Sequence, residues 1–318
     1  MEGHTMKNDA KSLNLSHVLD TTRLHYVLLM TVLSLYTLMI MGTFVTSTGS
    51  GLACPDWPLC YGSVKPPLKL HIWFEWGHRL LGGLTGLLII ISTFLIWYKY
   101  RGVPRLLTGI VLGLLFLGVL IGGMTVLTEA PYLDSLIRIA IVSSHLIIAT
   151  LVLISLVLII GKIASGRNVD ERGYHFLLFC AVYLQVILGI LVRYSKASLA
   201  CPDFPLCQGE IIPSFSSYAV ILHFSHRAVA LTVILLTVML FCRALLRRDR
   251  IETSLITLSI VLLQATFGIL IVLTGMFLPV IIMHGATGFL LLGWLAYQSA
   301  PFLFKHISGS GIKAGGAL

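Results

Sequence analysis

Residues 104–127 read PRLLTGIVLGLLFLGVLIGGMTVL, and Arg105 is the only charged residue among them. A run of this kind can cross a bilayer as an α-helix, which needs about 20 apolar residues. The run is continuous rather than alternating, so it lacks the pattern of a barrel strand. Similar runs occupy residues 24–45, 72–98, 136–160, 174–194, 217–242, 252–275 and 279–303. The sequence therefore predicts an all-α integral membrane protein with eight transmembrane helices.

The composition agrees with this class of protein. Of the 318 residues, 57% are hydrophobic and 11% are charged, whereas soluble proteins carry about 25% charged residues. The formal net charge of +9 also occurs among nucleic-acid-binding proteins, but here the basic residues lie in short segments between apolar runs. That distribution indicates membrane topology, and no nucleic-acid partner is expected. No cleavable signal peptide is expected either, because the polar start leads into a run long enough to span.

The positions of lysine and arginine predict the orientation. One set of connecting segments carries Lys99, Arg101, Arg105, Lys162, Arg167, Arg172, Arg243, Arg247, Arg248 and Arg250. The long loops 46–71 and 195–216 carry only Lys65, Lys69 and Lys196. By the positive-inside rule, the basic segments and both termini are expected in the cytoplasm. The two long loops are then expected on the outer face of the cell membrane.

The chain contains an internal repeat. Residues 52–60, LACPDWPLC, recur as residues 199–207, LACPDFPLC, and EWGHR at 75–79 recurs as HFSHR at 223–227. The repeat predicts two pseudo-symmetric four-helix bundles in the same orientation, related by an axis along the membrane normal. The expected segments are a cytoplasmic tail (1–23), an N-terminal half (24–161), a C-terminal half (162–303) and a second cytoplasmic tail (304–318).

Four histidines lie inside apolar runs, namely His78, His145, His226 and His284. An ionisable residue within a membrane is a functional candidate, and the alternative is a histidine that only hydrogen-bonds between helices. Two histidines from two helices can supply both axial ligands of a haem iron. Zinc is the competing metal, but it usually takes four converging ligands. Two sites of two ligands fit a porphyrin better, with iron bound through the haem and no separate metal site.

Arginines and cysteines accompany these histidines. Arg79 and Arg227 each follow a histidine, where they can pair with haem propionates or extend towards lipid headgroups. Cys54 with Cys60, and Cys201 with Cys207, are expected to form disulfides, because each pair shares a short turn in an oxidising compartment. These pairs can be structural or redox-active. Cys180 and Cys242 lie in apolar runs and are expected to be packing residues.

Glu75 breaks the repeat, because its counterpart is His223. Glu75 lies one helical turn before His78, so the two can share a helix face. A carboxyl group beside an apolar site is suited to proton transfer, and the alternative is a solvated residue favoured by the helix dipole. The asymmetry indicates that one half has diverged towards a substrate and the other towards a fixed cofactor. The role of His223 stays open.

Taken together, these motifs resemble the haem A synthase family. The matching residues are the two Cys-Pro-Asp-x-Pro-Leu-Cys loops, Glu75-Trp-Gly-His78-Arg79, Ser144-His145, Ser225-His226-Arg227 and Met283-His284-Gly285, and the resemblance extends over residues 24–298. It implies an eight-helix membrane enzyme that oxidises the C8 methyl group of haem O to a formyl group, giving haem A. It also implies that His226 and His284 bind haem B. The substrate haem O would then lie on His78 and His145, with Glu75 as the catalytic carboxylate.

The implied partners are haem O and membrane lipid, and the candidates beyond them are a haem O synthase and an electron donor such as a quinol or ferredoxin. Three alternatives to the synthase remain. A membrane thiol–disulfide oxidoreductase coupled to quinone would need reactive thiols but not four buried histidines. The others are a di-haem electron-transfer protein and a non-enzymatic haem carrier. The difference between Glu75 and His223 argues against two equivalent fixed haems.

Overall fold

The computed structural model of the chain describes residues 15–129, 136–164 and 173–309, with side chains described between 22 and 305. The helices are α1 (Leu15–Ser47), α2 (Leu70–Lys99), α3 (Val103–Leu127), α4 (Leu136–Ala164), α5 (Tyr174–Tyr194), α6 (Tyr218–Arg247), α7 (Ile251–Leu273) and α8 (Leu278–Gly309). All eight are long and apolar enough to cross a membrane, and no strand occurs in the described ranges. The predicted all-α fold with eight spanning helices is confirmed.

Most helix ends lie within a few residues of the predicted apolar runs, and the larger differences share one cause. Helix α1 begins at Leu15, α6 continues to Arg247 and α8 continues to Gly309. A run of apolar residues ends where the hydrocarbon layer ends, whereas a helix can continue into the polar interface with its backbone bonds intact. The expected N-terminal tail, residues 1–23, therefore includes the start of α1. The boundary between the two halves stays a prediction.

The helices of each half contact one another in a closed ring. Helix α1 packs on α2, α2 on α3, α3 on α4 and α4 on α1, and α5 to α8 repeat this order of contacts. The two rings meet mainly where α4 packs against α8, with smaller contacts of α1 with α8 and of α4 with α5. The predicted symmetry axis between the two bundles stays a prediction.

The seam between α4 and α8 is deeply buried and closely packed. Leu153 and Leu156 of α4 and Leu292 and Leu295 of α8 are at most 2% exposed. At Gly161 a Cβ atom would lie 2.6 Å from the Cβ of Ala300 on α8. Small residues at such crossings let helix backbones approach closely, which provides much of the packing energy between helices in lipid.

The outer surfaces of the rings are apolar. On α2, Leu80, Leu84 and Leu87 are 52–54% exposed, and on α6 Leu231 and Leu235 are 57% and 60% exposed. Apolar patches of this extent are rare on soluble monomers. They fit helices that satisfy their backbone hydrogen bonds internally and present side chains to lipid.

The two loops that contain the cysteines lie at the same end of the bundle, which we call the cysteine-loop end. Arg193 in the last turn of α5 hydrogen-bonds Ser47 in the last turn of α1, with 2.7 Å between Nη2 and Oγ. Since α1 and α5 therefore end side by side, the loops that follow them both leave the bundle there. The orientation of this end relative to the cell stays a prediction.

Each cysteine loop is closed by a disulfide in the pairing expected from the sequence. The Cα atoms of Cys54 and Cys60 are 4.8 Å apart, and those of Cys201 and Cys207 are 4.5 Å apart. All four cysteines are at most 2% exposed. The first pair packs against Ile72 and Trp76, and the second against Val220. The disulfides are thus part of small buried clusters at the starts of α2 and α6.

An aspartate organises the turn within each loop. The carboxylate of Asp56 accepts hydrogen bonds from the backbone N–H groups of Tyr61 (2.6 Å) and Gly62 (2.7 Å). Asp203 accepts the equivalent bonds from Gln208 (2.8 Å) and Gly209 (2.7 Å). The hydrogen bonds from Gly62 and Gly209 are the main reason that the pKa of each carboxyl lies below its usual value. The shared Pro-Asp sequence therefore produces the same turn twice.

Candidate functional site

The four predicted histidines lie on alternate helices, two in each ring. His78 on α2 and His145 on α4 are on helices that stand opposite each other across the first ring. His226 on α6 and His284 on α8 form the same arrangement in the second ring. The structure therefore brings the histidines together in the pairs that the resemblance implies.

Glycines on the intervening helices make room for each imidazole. A Cβ atom at Gly42 on α1 would lie 3.1 Å from Cε1 of His78, and one at Gly189 on α5 would lie 3.0 Å from Cε1 of His226. These distances are shorter than a relaxed carbon–carbon contact. Neither glycine was among the predicted site residues, although the two are separated by the same 147 positions as the cysteine loops.

The other two helices provide the corresponding glycines for the second histidine of each pair. A Cβ atom at Gly122 on α3 would lie 2.9 Å from Cε1 of His145, and one at Gly268 on α7 would lie 3.2 Å from Cε1 of His284. Each ring of four helices thus contributes two histidines and two glycines, one residue from each helix. Any larger side chain at these glycines would push an imidazole out of place.

The imidazole nitrogens have different surroundings in the two rings. In the first ring, Nδ1 of His145 bonds the carbonyl of Gly118 (3.0 Å). In the second ring, Nδ1 of His284 bonds the carbonyl of Gln264 (3.2 Å), and the Gln264 amide also lies 3.3 Å from His284 Nε2. The amide of Gln185 lies 3.3 Å from His226 Nε2. The second pair therefore faces two amide side chains.

These glutamines have no counterpart in the first ring. Leu38 corresponds to Gln185 at the offset of 147, and Gly118 corresponds to Gln264 when Gly122 is aligned with Gly268. Gln264 is itself held by the hydroxyl of Thr287, which donates to its side-chain oxygen. Neither glutamine was predicted, because each lies on a different helix from the histidine that it contacts. The second site is thus more polar and more constrained than the first.

The residues around both pairs fit a haem. The imidazoles are presented from opposite sides of an apolar ring of helices, and the buried Nδ1 atoms of His78 and His226 have no hydrogen-bond partner in the described part of the chain. Paired neutral imidazoles are established axial ligands of haem iron. No group of three or more His, Cys, Asp or Glu side chains in the described residues could hold a metal ion. The donor set in each ring is therefore two imidazoles, which is fewer than zinc sites use.

Glu75 is buried at 3% exposure and contacts the first cysteine loop. Its Oε2 accepts a hydrogen bond from the backbone N–H of Cys54 (2.8 Å), and its Oε1 pairs with Nη2 of Arg79 (2.5 Å). The carboxylate is thus held in a defined position one turn from His78. These contacts exclude the alternative of a solvated residue at the helix start, and they add a structural role to the predicted role in proton transfer.

His223 occupies the equivalent position in the second half. Its side chain is 5% exposed, and its Nδ1 accepts a hydrogen bond from the backbone N–H of Cys201 (3.2 Å). The role that the sequence left open is therefore contact with the second cysteine loop. A neutral imidazole can accept this bond as a carboxylate does, but it provides no ion pair for the neighbouring arginine.

Arg79 and Arg227 both point into the cysteine loops. Arg79 donates to the backbone oxygens of Cys54, Asp56 and Leu59, and Arg227 donates to those of Cys201, Asp203 and Leu206, over distances of 2.5–3.3 Å. These contacts with the loop carbonyls do not favour the alternative in which the arginines extend to lipid headgroups. Pairing of these arginines with haem propionates stays a prediction.

Trp57 of the first cysteine loop packs against the first ring of helices. A Cβ atom at Gly123 on α3 would lie 3.1 Å from the indole of Trp57, and the preceding residue Gly122 faces His145. The counterpart of Trp57 in the second loop is Phe204, which is 46% exposed. The loop over the first site is thus closely docked beside the histidine pair.

The remaining cysteines differ from expectation. Cys180 and Cys242 carry free thiols, as predicted, but both are exposed on the surfaces of α5 and α6. The expectation that they pack inside the bundle is wrong. An apolar run alone does not distinguish a lipid-facing position from one that faces another helix.

These features define a class of protein, namely a multi-pass helical membrane protein with two buried histidine pairs beneath disulfide-closed loops. The chain belongs to the COX15-CtaA family, described as cytochrome oxidase assembly protein, whose model matches residues 25–72 and 68–296.

Individual relatives match over nearly the whole chain. A protein named "Heme A synthase" from Halalkalibacterium halodurans is 31% identical over 286 residues, covering 84% of this chain and 93% of the relative. One of the same name from Alkalihalophilus pseudofirmus is 31% identical over 295 residues, covering 87% and 96%. A third from Bacillus cereus is 30% identical over 280 residues, covering 81% and 86%.

Proposed function

We propose that this chain is a haem A synthase, which oxidises the C8 methyl group of haem O to a formyl group and supplies haem A for terminal oxidase assembly. The observation that carries the proposal is the pair of similar but unequal histidine sites. Both have the same arrangement of two histidines and two glycines, yet only one faces glutamine amides. An enzyme with one substrate haem and one resident haem needs two similar haem sites whose surroundings differ.

The second ring is proposed to hold haem B, with His226 and His284 as iron ligands. Its support is the contact between Nδ1 of His284 and the Gln264 carbonyl, which orients that imidazole and leaves Nε2 for iron. A resident cofactor benefits from a site that is held in place by such neighbours. When bound, haem B supplies one-electron redox chemistry, and the protein provides the ligands and their surroundings.

The first ring is proposed to bind the substrate haem O on His78 and His145. Leu38 and Gly118 stand where the second ring has glutamines, so fewer polar contacts oppose the exchange of one haem for another. Glu75 is the proposed catalytic carboxylate of this site. Conversion of a methyl to a formyl group replaces two hydrogens by one oxygen and removes four electrons, so it needs an oxidant and an oxygen source from outside the chain. Within that conversion, a carboxylate can accept a released proton at an oxygen. The ion pair with Arg79 holds that carboxylate in place.

The cysteine loops are proposed to lie at the outer face of the cell membrane, with both termini in the cytoplasm. The basic segments at the opposite end and the two disulfides support this orientation, because disulfides persist in oxidising compartments. A haem O synthase, and a donor such as a quinol or ferredoxin, are the proposed partners. The burial of all four cysteines favours structural disulfides over a thiol-exchange enzyme, since reactive cysteines need access.

The proposal is tested in a bacterial host that makes haem O but lacks its own haem A synthase. Membranes from cells that express the full chain are extracted, and the haems are separated by chromatography. We expect haem A, together with some haem O or the hydroxymethyl intermediate. The matched control is the His78→Ala variant, which should give haem O alone while the purified protein keeps haem B. A chain that binds haem but yields no haem A or intermediate is a carrier or an electron-transfer protein, and the proposal is then wrong.

A further inference from the structure

Arg193 is a partly buried cation in the last turn of α5, at the cysteine-loop end of the seam between the two rings. Its Nη2 donates to the hydroxyls of Ser47 (2.7 Å) and Thr46 (3.0 Å) and to the carbonyl of Thr43 (3.3 Å). All three acceptors lie on α1, in the other half of the molecule. The guanidinium thus spans the two halves through uncharged partners.

No carboxylate neutralises this charge in the part of the chain that the structure describes. The ion pair found there joins Glu75 to Arg79. An arginine at the end of a spanning helix can extend to the polar interface or pair with an anion. Arg193 instead turns towards α1. The acceptors on α1 satisfy hydrogen bonds but leave the positive charge uncompensated. An anionic group from outside the chain would compensate it.

The position of Arg193 connects it to the second histidine pair. It lies four residues after Gly189, the glycine that faces His226, so both are on the same face of α5. Arg193 is therefore placed one turn beyond the His226–His284 pair, on its cysteine-loop side.

The repeat shows that this cation belongs to the second ring alone. The counterpart of Arg193, 147 positions earlier, is Thr46, which is one of its own hydrogen-bond acceptors. The other arginine of this ring near the histidines, Arg227, already donates through both Nη atoms to three loop carbonyls. Among the described residues, Arg193 thus contacts the neighbouring Tyr194 ring and neutral oxygens of α1, but no carboxylate.

We propose that Arg193 binds a propionate carboxylate of the haem held by His226 and His284, and that this contact helps to make the second ring the resident cofactor site. The inference rests on the proposed function. A guanidinium matches a carboxylate with paired, charge-assisted hydrogen bonds. The porphyrin plane of a haem is apolar and fits the ring of helices with its glycines. The propionates are anionic and fit Arg193 at the end of that ring.

The test compares haem B with its dimethyl ester, in which both propionates are masked. The full chain is purified without haem from a haem-deficient host and titrated with each ligand, for the parent and for Arg193→Gln. We expect the parent to bind the ester at least about tenfold more weakly than haem B, as for the loss of a hydrogen bond to a charged group. Arg193→Gln should bind haem B about as weakly as the ester, and should no longer distinguish the two.

Two further measurements separate anion binding from a role in holding α1. Arg193→Gln should lower the midpoint potential of bound haem B, because loss of a nearby positive charge favours the ferric state. The double variant Thr46→Val, Ser47→Ala removes two acceptors on α1 and keeps the arginine, so its haem affinity and potential should stay near those of the parent. If the double variant matches Arg193→Gln, the arginine is only a helix clamp and the inference is wrong.

Other outcomes are equally decisive. A parent chain that binds haem B and its ester with equal affinity contradicts the Arg193 inference and leaves the proposed function standing. A parent chain that binds no haem contradicts the proposed function itself. If Arg193→Gln cannot be purified, Arg193→Lys replaces it, and its preference for haem B over the ester must be smaller than that of the parent.

Discussion

Glu75 and His223 accept hydrogen bonds from equivalent backbone amides, those of Cys54 and Cys201, at 2.8 Å and 3.2 Å. One position of the repeat thus makes the same contact with two different chemical groups. Of the two, the carboxylate alone pairs with the next arginine along its helix, Arg79. The hydrogen bond to the cysteine loop occurs in both halves, so it has a structural role. The carboxyl group of Glu75 occurs in the first half alone, where it is available for chemistry.

The first prediction separates these two roles of Glu75. Glu75→Gln keeps an oxygen that can accept from Cys54 N–H but removes the acid and the ion pair. We expect normal expression and haem B content, with haem A formation about a hundredfold lower, the typical contribution of a general acid–base group. Haem extraction and chromatography measure it. The matched control is His223→Gln, which should retain haem A formation within a few-fold. Parent-level haem A from Glu75→Gln would leave the carboxylate with only its structural role.

The second prediction concerns the ligands of the resident haem. His226→Ala or His284→Ala should each abolish most of the low-spin spectrum of the purified protein, because the iron loses one axial imidazole. His145→Ala is the control and should leave that spectrum in place, since this residue belongs to the other ring. Visible absorption and electron paramagnetic resonance report the result. An unchanged spectrum in both second-ring variants would show that haem B binds elsewhere.

A third prediction uses the glycines that face the imidazoles. Gly189→Ala places a Cβ atom 3.0 Å from Cε1 of His226, so the ring must move and the ratio of haem B to protein should fall several-fold. Gly113→Ala is the matched control on α3, where a Cβ atom meets nothing within 4 Å. It should bind haem normally and stabilise its helix by up to about 1 kcal/mol. Equal haem content in the two variants would contradict the assigned role of Gly189.

The fourth prediction concerns the pH dependence of the cysteine loops. The hydrogen bond from Gly209 is the largest cause that lowers the pKa of Asp203 below its ordinary value of 3.8. A lowered folded-state pKa means that the stabilisation is fully present above the ordinary value and is lost as the pH falls through the folded-state value. The loop should therefore be equally stable from pH 7 to about 5 and loosen only in stronger acid.

Reduction of the Cys201–Cys207 disulfide by a phosphine measures this effect. The rate is normalised to that of a small disulfide peptide at each pH. We expect a constant ratio from pH 7 to about 5 and an increase below the ordinary carboxyl range. Asp203→Ala should be faster at every pH and show no such increase. A parent ratio that rises already near pH 6 would mean that another group controls the loop.

The sequence by itself determined which segments cross the membrane and which residues are available for chemistry. Runs such as residues 104–127 predict spanning helices because apolar length is a property of the chain alone. The repeat likewise identified the two cysteine pairs and the histidines at positions 78 and 226, because these motifs recur at nearly constant spacing. Local turn chemistry at Asp56 and Asp203 was sufficient to predict that each cysteine pair is close enough to bond.

The tertiary structure decided which side chain meets which. Gln185 and Gln264 contact histidines on other helices, Arg227 turns into its loop, and Arg193 reaches across to α1. Cys180 and Cys242 face outward, although their apolar neighbours resemble those of buried positions. In a soluble helix, a polar stripe would reveal the outer face. In a membrane the lipid-facing and protein-facing sides are both apolar, so the rotation of each helix, and every contact that depends on it, is set only when the helices pack.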